Sequence, residues 1–117
     1  MAGSKIGLAA ASLLANERLS APAHFDAEVY SAFRRHFRQG LMSLPDLDRI
    51  VNRLVTLAVE RVALPSLLGV AHSFADQLSA ADAFYVALAR LRRLELVTSD
   101  ARLVSAAARL TQVRLVS

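Results

Sequence analysis

Cysteine and tryptophan are absent from this sequence, and glycine and proline are scarce, at four and three residues. Without cysteine there is neither a disulfide framework nor a thiolate metal site, and the chain fits a reducing compartment; a cytoplasmic location is the expectation. The four glycines are scattered and form no Gly-rich phosphate loop. No apolar run approaches the roughly 20 residues that a membrane-spanning helix needs, so no membrane association is expected. Met1 to Ala15 is small and apolar with Lys5 near its start, but the continuation ANERLSAP offers no cleavage region for a signal peptide. Acids are sparse as well. The stretch SAADAFYVALARLRRLELVTSDARL, Ser79 to Leu103, holds only Asp82, Glu95 and Asp100.

What remains is apolar and arginine-rich. With 55% hydrophobic residues, 117 residues suffice for one core, and a single domain over 1–117 is expected. Lys and Arg total 14 against 10 Asp and Glu, a net charge of +4, and every basic residue except Lys5 is arginine. Arginine suits bidentate contact with phosphate or carboxylate, although so modest a positive balance does not require nucleic acid.

Along the chain, helical and extended patterns alternate. Residues 2–16 read as an Ala/Leu helix and RLSAPA, 18–23, as a short extended run. Asp26 is a candidate cap for a helix through Arg38 that stops at Gly40. Ser43, Pro45 and Asp46 mark a further helix start, with Leu47, Ile50, Val51, Leu54 and Leu57 at helical spacing. VERVAL, 59–64, reads as a strand and Pro65 to about Gln77 as a helix. Asp82 to Arg92 is helical, ELVTS, 95–99, is a strand of the doubly buried kind, Asp100 to Leu110 is helical, and QVRLVS closes the chain as a last strand. Four strands separated by helices predict an α/β fold with a parallel sheet covered on both faces.

In such a sheet, ligands bind beyond the carboxyl ends of the strands, where the next helices begin. Glu28, Asp82 and Asp100 fall at helix starts on this map. Carboxylates gathered there suit Mg²⁺ or Mn²⁺, which take oxygen ligands and keep several waters. Helix capping explains the same acids more simply: first turns favour negative charge, Ser79 with Asp82 fits a capping box, and Asp100 fits an N-cap. Both readings stand at this point. His24, His36 and His72 show no mutual i, i+4 spacing and give no histidine metal site. Arg34, Arg35 and Arg38, or Arg92 and Arg93, offer phosphate contacts or a plain solvated face. Phe33, Phe37, Phe84 and Tyr85 are read as core or dimer surface.

The segments APAHFDAEV, LSAADAFYVALA and LVTSDARL resemble the PIN-domain family, specifically its VapC-like toxin ribonucleases, from about Ala15 to the C-terminus. The resemblance implies a three-layer α/β/α fold and a Mg²⁺- or Mn²⁺-dependent endoribonuclease acting on RNA. It also implies a cognate antitoxin that blocks the active site, and a homodimer. By position, Glu28 matches the acid after the second family strand, Asp82 the acid of the DAxYVALA motif, and Asp100 the acid of the TxD motif. Thr98 matches the hydroxyl residue that orients the site. One departure is expected to matter. The family opens on a central strand such as VVDAS whose Asp is a metal ligand, whereas MAGSKIGLAA has neither acid nor strand-like run. An N-terminally incomplete PIN-like domain is therefore expected, with a catalytically inactive module that binds an antitoxin or partner chain as the alternative to an active ribonuclease.

Overall fold

The computed structural model describes residues 19–98 and 100–115. The helix expected over 2–16, the question of a first strand, and the end of the last strand lie outside the described residues.

The chain runs β1 (Leu19–Pro22), α1 (Phe25–Arg38), α2 (Leu44–Thr56), β2 (Val59–Val62), α3 (Pro65–His72), α4 (Ala80–Arg92), β3 (Leu96–Thr98), α5 (Ala101–Ala107) and β4 (Val113–Leu115). Helix α1 buries Phe25, Val29 and Ala32, residues three and four apart on one face. It ends where the sequence says it should. Gly40 takes φ 77, and Gly40 N–H to Phe37 O with Leu41 N–H to His36 O form the paired bonds that close a helix through a left-handed residue. Its start differs from expectation: the capping position belongs to His24, whose side chain makes no cap bond, and Asp26 sits inside the first turn. Ser43 caps α2 as expected, its side chain accepting from Asp46 N–H at 3.2 Å.

Helix α3 stops at His72 rather than near Gln77. Beyond it, Ser73, Phe74, Ala75 and Gln77 each donate to the residue three before, the tighter winding that replaces a last α-turn. That winding points Phe74 inward, only 2% exposed, beneath the Arg90 guanidinium. Helix α4 is the centre of the molecule. Ala83 and Tyr85 through Ala89 are all buried, which a helix achieves only when neighbours cover most of its circumference. It packs on α3 and on both β1 and β3. It ends with the same pair of closing bonds as α1, but with Arg93 at φ 54 in the position glycine favours.

The strands pair in parallel, as the alternating pattern requires. β1 runs beside β2 from Leu19–Val59 to Pro22–Val62, and β3 beside β4 from Leu96–Val113 to Thr98–Leu115. Among the described residues these are two two-stranded sheets, with α4 packed against one strand of each. The class is α/β. The strands are shorter than their sequence patterns because only residues within ladder distance pair, and the flanking residues turn into the next element.

Arg61 on β2 ties the first half of the chain together. Its Nε and Nη2 donate to Asp26 Oδ2 and Oδ1 at 3.1 and 2.9 Å. Its two Nη atoms also reach the carbonyls of Leu54, Leu57 and Val59 at 3.0–3.1 Å, covering the C-terminal end of α2 with positive charge. Hydrogen bonds to charged groups contribute about 1.5–3 kcal/mol each at best, and these share one side chain. Arg61→Ala is expected to destabilise the fold by roughly 2–3 kcal/mol in denaturant unfolding. Arg61→Lys should recover only part, because an ammonium lacks the planar fork. Full recovery by lysine would show that charge alone matters there.

Candidate active site

The starts of α1 and α4 meet through His24. Its Nε2 lies 3.2 Å from the carbonyl oxygen of Ala81, in the first turn of α4. Its ring lies against those of Phe84 and Tyr85, with centroids 5.5 and 5.0 Å away. Glu28, one turn into α1, brings Oε1 to 3.5 Å from the same nitrogen. A ring nitrogen facing two oxygen acceptors carries the proton, so neutral His24 is the Nε2–H tautomer. The Glu28 carboxylate is thus held at the junction of two helices, with Oε1 buried and without a hydrogen bond.

Asp82 sits in the first turn of α4, where Ser79 Oγ accepts its backbone N–H at 3.2 Å. Burial pushes its carboxyl above the ordinary carboxylate range; the Ser79 contact opposes this, and the negative charge of Asp100 adds to it. Asp100 is the N-cap of α5, with Oδ1 accepting from Arg102 N–H at 3.0 Å. Its own N–H donates to Thr98 Oγ1 at 3.0 Å, and Thr98 is completely buried at the end of β3. The hydroxyl therefore fixes the backbone from which the Asp100 carboxylate projects. Arg102 approaches Asp100 only to 3.9 Å with its side chain 90% exposed, so it offsets little of the negative charge.

The structure thus places Glu28, Asp82, Asp100 and Thr98 around the N-terminal ends of α1, α4 and α5. The negative charge of Asp100 reaches Asp82, while Glu28 faces His24. Glu28 and Asp100 follow strands, as the sheet-end rule requires, but Asp82 does not: α3 and its turns intervene between β2 and α4. Capping and charge clustering are both present. Asp100 caps, and it also raises Asp82.

Among the described residues no three His, Asp or Glu side chains gather closely enough to hold a metal ion. The donors nonetheless suit a hard divalent cation. Mg²⁺ typically takes one or two carboxylates and completes its shell with waters and substrate phosphate, and the Asp82–Asp100 pair with the orphaned Glu28 oxygen supplies that chemistry.

Two residues of this region are not legible as site residues in sequence. His24 has its signal in the i, i+4 relation to Glu28. Tyr85 lies one turn after Asp82; it belongs to the core as expected, being 8% exposed, but its hydroxyl is buried and unpartnered beside the acids. Burial first, then the charge of Glu28, pushes the phenol far up, so it stays protonated and can act only as a neutral donor or acceptor.

The family model described as PIN domain matches residues 1–109. Ribonuclease VapC3 of Mycobacterium tuberculosis is 44% identical over 93 residues, covering 80% of this chain and 68% of that protein. Ribonuclease VapC12 of the same organism is 33% identical over 111 residues, covering 95% of this chain and 86% of that protein. A VapC ribonuclease of Mycobacterium bovis is 37% identical over 91 residues, covering 78% and 72%.

Proposed function

The chain belongs to the PIN-domain family, and on that footing we propose that it is the toxin of a toxin–antitoxin pair, a Mg²⁺- or Mn²⁺-dependent endoribonuclease. The observation that carries this reading is the half-buried Asp82 beside Asp100, two carboxylates whose repulsion a cation would relieve. The relatives named as ribonucleases supply the substrate class.

In this reading Glu28, Asp82 and Asp100 would hold the cation, directly or through water. A bound cation of this kind polarises a phosphodiester and lowers the pKa of water. The chain's own residues do the rest. Thr98 anchors Asp100 by its backbone bond, and His24 keeps Glu28 at the junction of α1 and α4. The N-terminal ends of three helices favour an anionic substrate at this spot. Arg34 and Arg38, on the exposed face of α1, contact phosphates of a single-stranded or looped RNA, where bases are unstacked and the backbone is accessible. The partners are the RNA, a cognate antitoxin that covers the acids, and a second copy of the chain. Among the described residues no helix is long and apolar enough to cross a membrane.

The test is incubation of the purified chain, in excess over a labelled single-stranded RNA, with Mg²⁺, with Mn²⁺, and with EDTA. Cleavage should require the cation and fall on the order of a hundredfold or more in Asp100→Asn, since even the supports of metal ligands contribute 10–100-fold. Binding of an antitoxin without cleavage under any cation would instead favour the inactive module.

A further inference from the structure

Native proteins hydrogen-bond roughly nine in ten of their buried polar groups, and each exception asks for a cause. Among the described residues the buried side-chain atoms without a partner are His24 Nδ1, Glu28 Oε1 and Tyr85 OH. They belong to residues that adjoin one another. His24 Nε2 is 3.5 Å from Glu28 Oε1, and the His24 and Tyr85 rings are 5.0 Å apart. Unpaired polar atoms scattered through a core would each be a separate defect. Collected around one carboxylate, they form an unfinished hydrogen-bond network.

The chemistry of the three groups shows how it completes. With the proton on Nε2, His24 Nδ1 is an acceptor, and Glu28 Oε1 is an acceptor, so only the Tyr85 hydroxyl brings a hydrogen. A phenol carries its proton at neutral pH, so the hydroxyl is available to donate. The Tyr85 ring is locked by the core of α4, whereas the terminal torsion of a glutamate is broad and turns easily. The adjustment therefore falls to Glu28.

We propose that Tyr85 is a positioning residue, its hydroxyl donating to the Glu28 carboxylate and fixing, opposite His24, the direction in which that carboxylate faces the site. The proposal rests on the metal-dependent reading for its consequence, but not for the contact itself. Carboxylates that bind cations are oriented by such outer partners, and loss of one typically weakens metal binding 10–100-fold.

Two measurements separate the contact from its consequence. In the cation-free protein, with Tyr30→Phe leaving Tyr85 as the only tyrosine, the hydroxyl proton should give a slowly exchanging NMR resonance that Glu28→Gln shifts or removes. No such resonance, or one indifferent to Glu28→Gln, would overturn the contact. In Mn²⁺ titration by calorimetry, Tyr85→Phe should keep the ring packing and the melting temperature within a few degrees while weakening Kd about tenfold or more. An unchanged Kd, or a lowered melting temperature with an unchanged Kd, would leave Tyr85 a packing residue only. If the wild type binds no Mn²⁺ while the hydroxyl resonance responds to Glu28→Gln, the contact stands and the metal-dependent reading falls.

Discussion

Asp82→Asn should make the cation-free protein more stable at neutral pH while removing its RNA cleavage. Asp82 is partly buried, and its carboxyl is held above the ordinary range first by that burial and further by the charge of Asp100. A carboxyl with a raised pKa in the folded state binds its proton more tightly there than in the unfolded chain. Stability is then lost as pH rises from the ordinary value of 3.8 through the raised folded value, and the penalty stays constant above it. Asparagine carries no charge, so the variant's advantage should be complete at neutral pH and vanish near the ordinary carboxylate range. A change of about 1 kcal/mol is reasonable for a single partly buried group, and would move the melting temperature by roughly 3–6 °C in a domain of this size. The backbone bond to Ser79 survives the substitution, so the helix keeps its cap. Adding Mg²⁺ or Mn²⁺ should reverse the order. A cation at a hundred times its Kd stabilises the wild type by about 2.7 kcal/mol, and the variant should gain much less. Cleavage by the variant should fall on the order of a hundredfold or more. Melting curves in EDTA at neutral and acidic pH, then in millimolar metal, give the comparison. An asparagine variant less stable than wild type at neutral pH in EDTA would mean that Asp82 supports the helix rather than straining it.

The alternation of helical and extended patterns carried most of the fold. Helix starts at Ser43, Ser79 and Asp100 were legible because a side-chain oxygen three or fewer residues before a helical run has one dominant use. Gly40 was legible because the left-handed position it occupies favours glycine. The same chemistry misleads at Asp26, which looks like a cap but is drawn away by Arg61, a residue 35 positions later on strand β2. Long-range partners leave no local spacing to read. The end of α3 was hidden for a similar reason, since the winding from Ser73 to Gln77 follows from burying Phe74 rather than from any breaker residue. For the site, Glu28, Asp82 and Asp100 were legible because each falls at a helix start. His24 and Tyr85 were not, because a histidine near a helix start and a tyrosine on a buried face look alike whether or not they touch an acid.

Arg34→Glu combined with Arg38→Glu should weaken binding of single-stranded RNA at least tenfold near 100 mM salt and flatten its salt dependence. The exposed face of α1 presents Ala27, Tyr30, Ser31, Arg34 and Arg38, opposite the buried Phe25, Val29 and Ala32. Tyr30, Arg34 and Arg38 are four residues apart, so each lies about 6 Å further along the helix that carries Glu28. Four other arginines are held in ion pairs with partners separate from the site. Arg61 is taken by Asp26, Arg92 by Glu60, Arg114 by Glu95 and Arg49 by Asp46. Arg34 and Arg38 form no ion pair among the described residues, so binding phosphate breaks no existing pair at those positions. Each phosphate contact on a single strand adds roughly 0.7 to the slope of log K against log salt, and losing two should lower it by about 1.4. Tyr30→Ala separates stacking from charge, weakening affinity by about 1–3 kcal/mol if a base stacks there, with the slope unchanged. Fluorescence anisotropy with a labelled oligonucleotide across a salt series, in EDTA and in the Asp82→Asn background, reads binding without cleavage. Arg109→Glu makes the same two-unit charge change per residue away from α1 and should leave most of the slope intact. If it lowers slope and affinity as much per substitution as the α1 reversals do, only net charge is being sensed and α1 is not the RNA track.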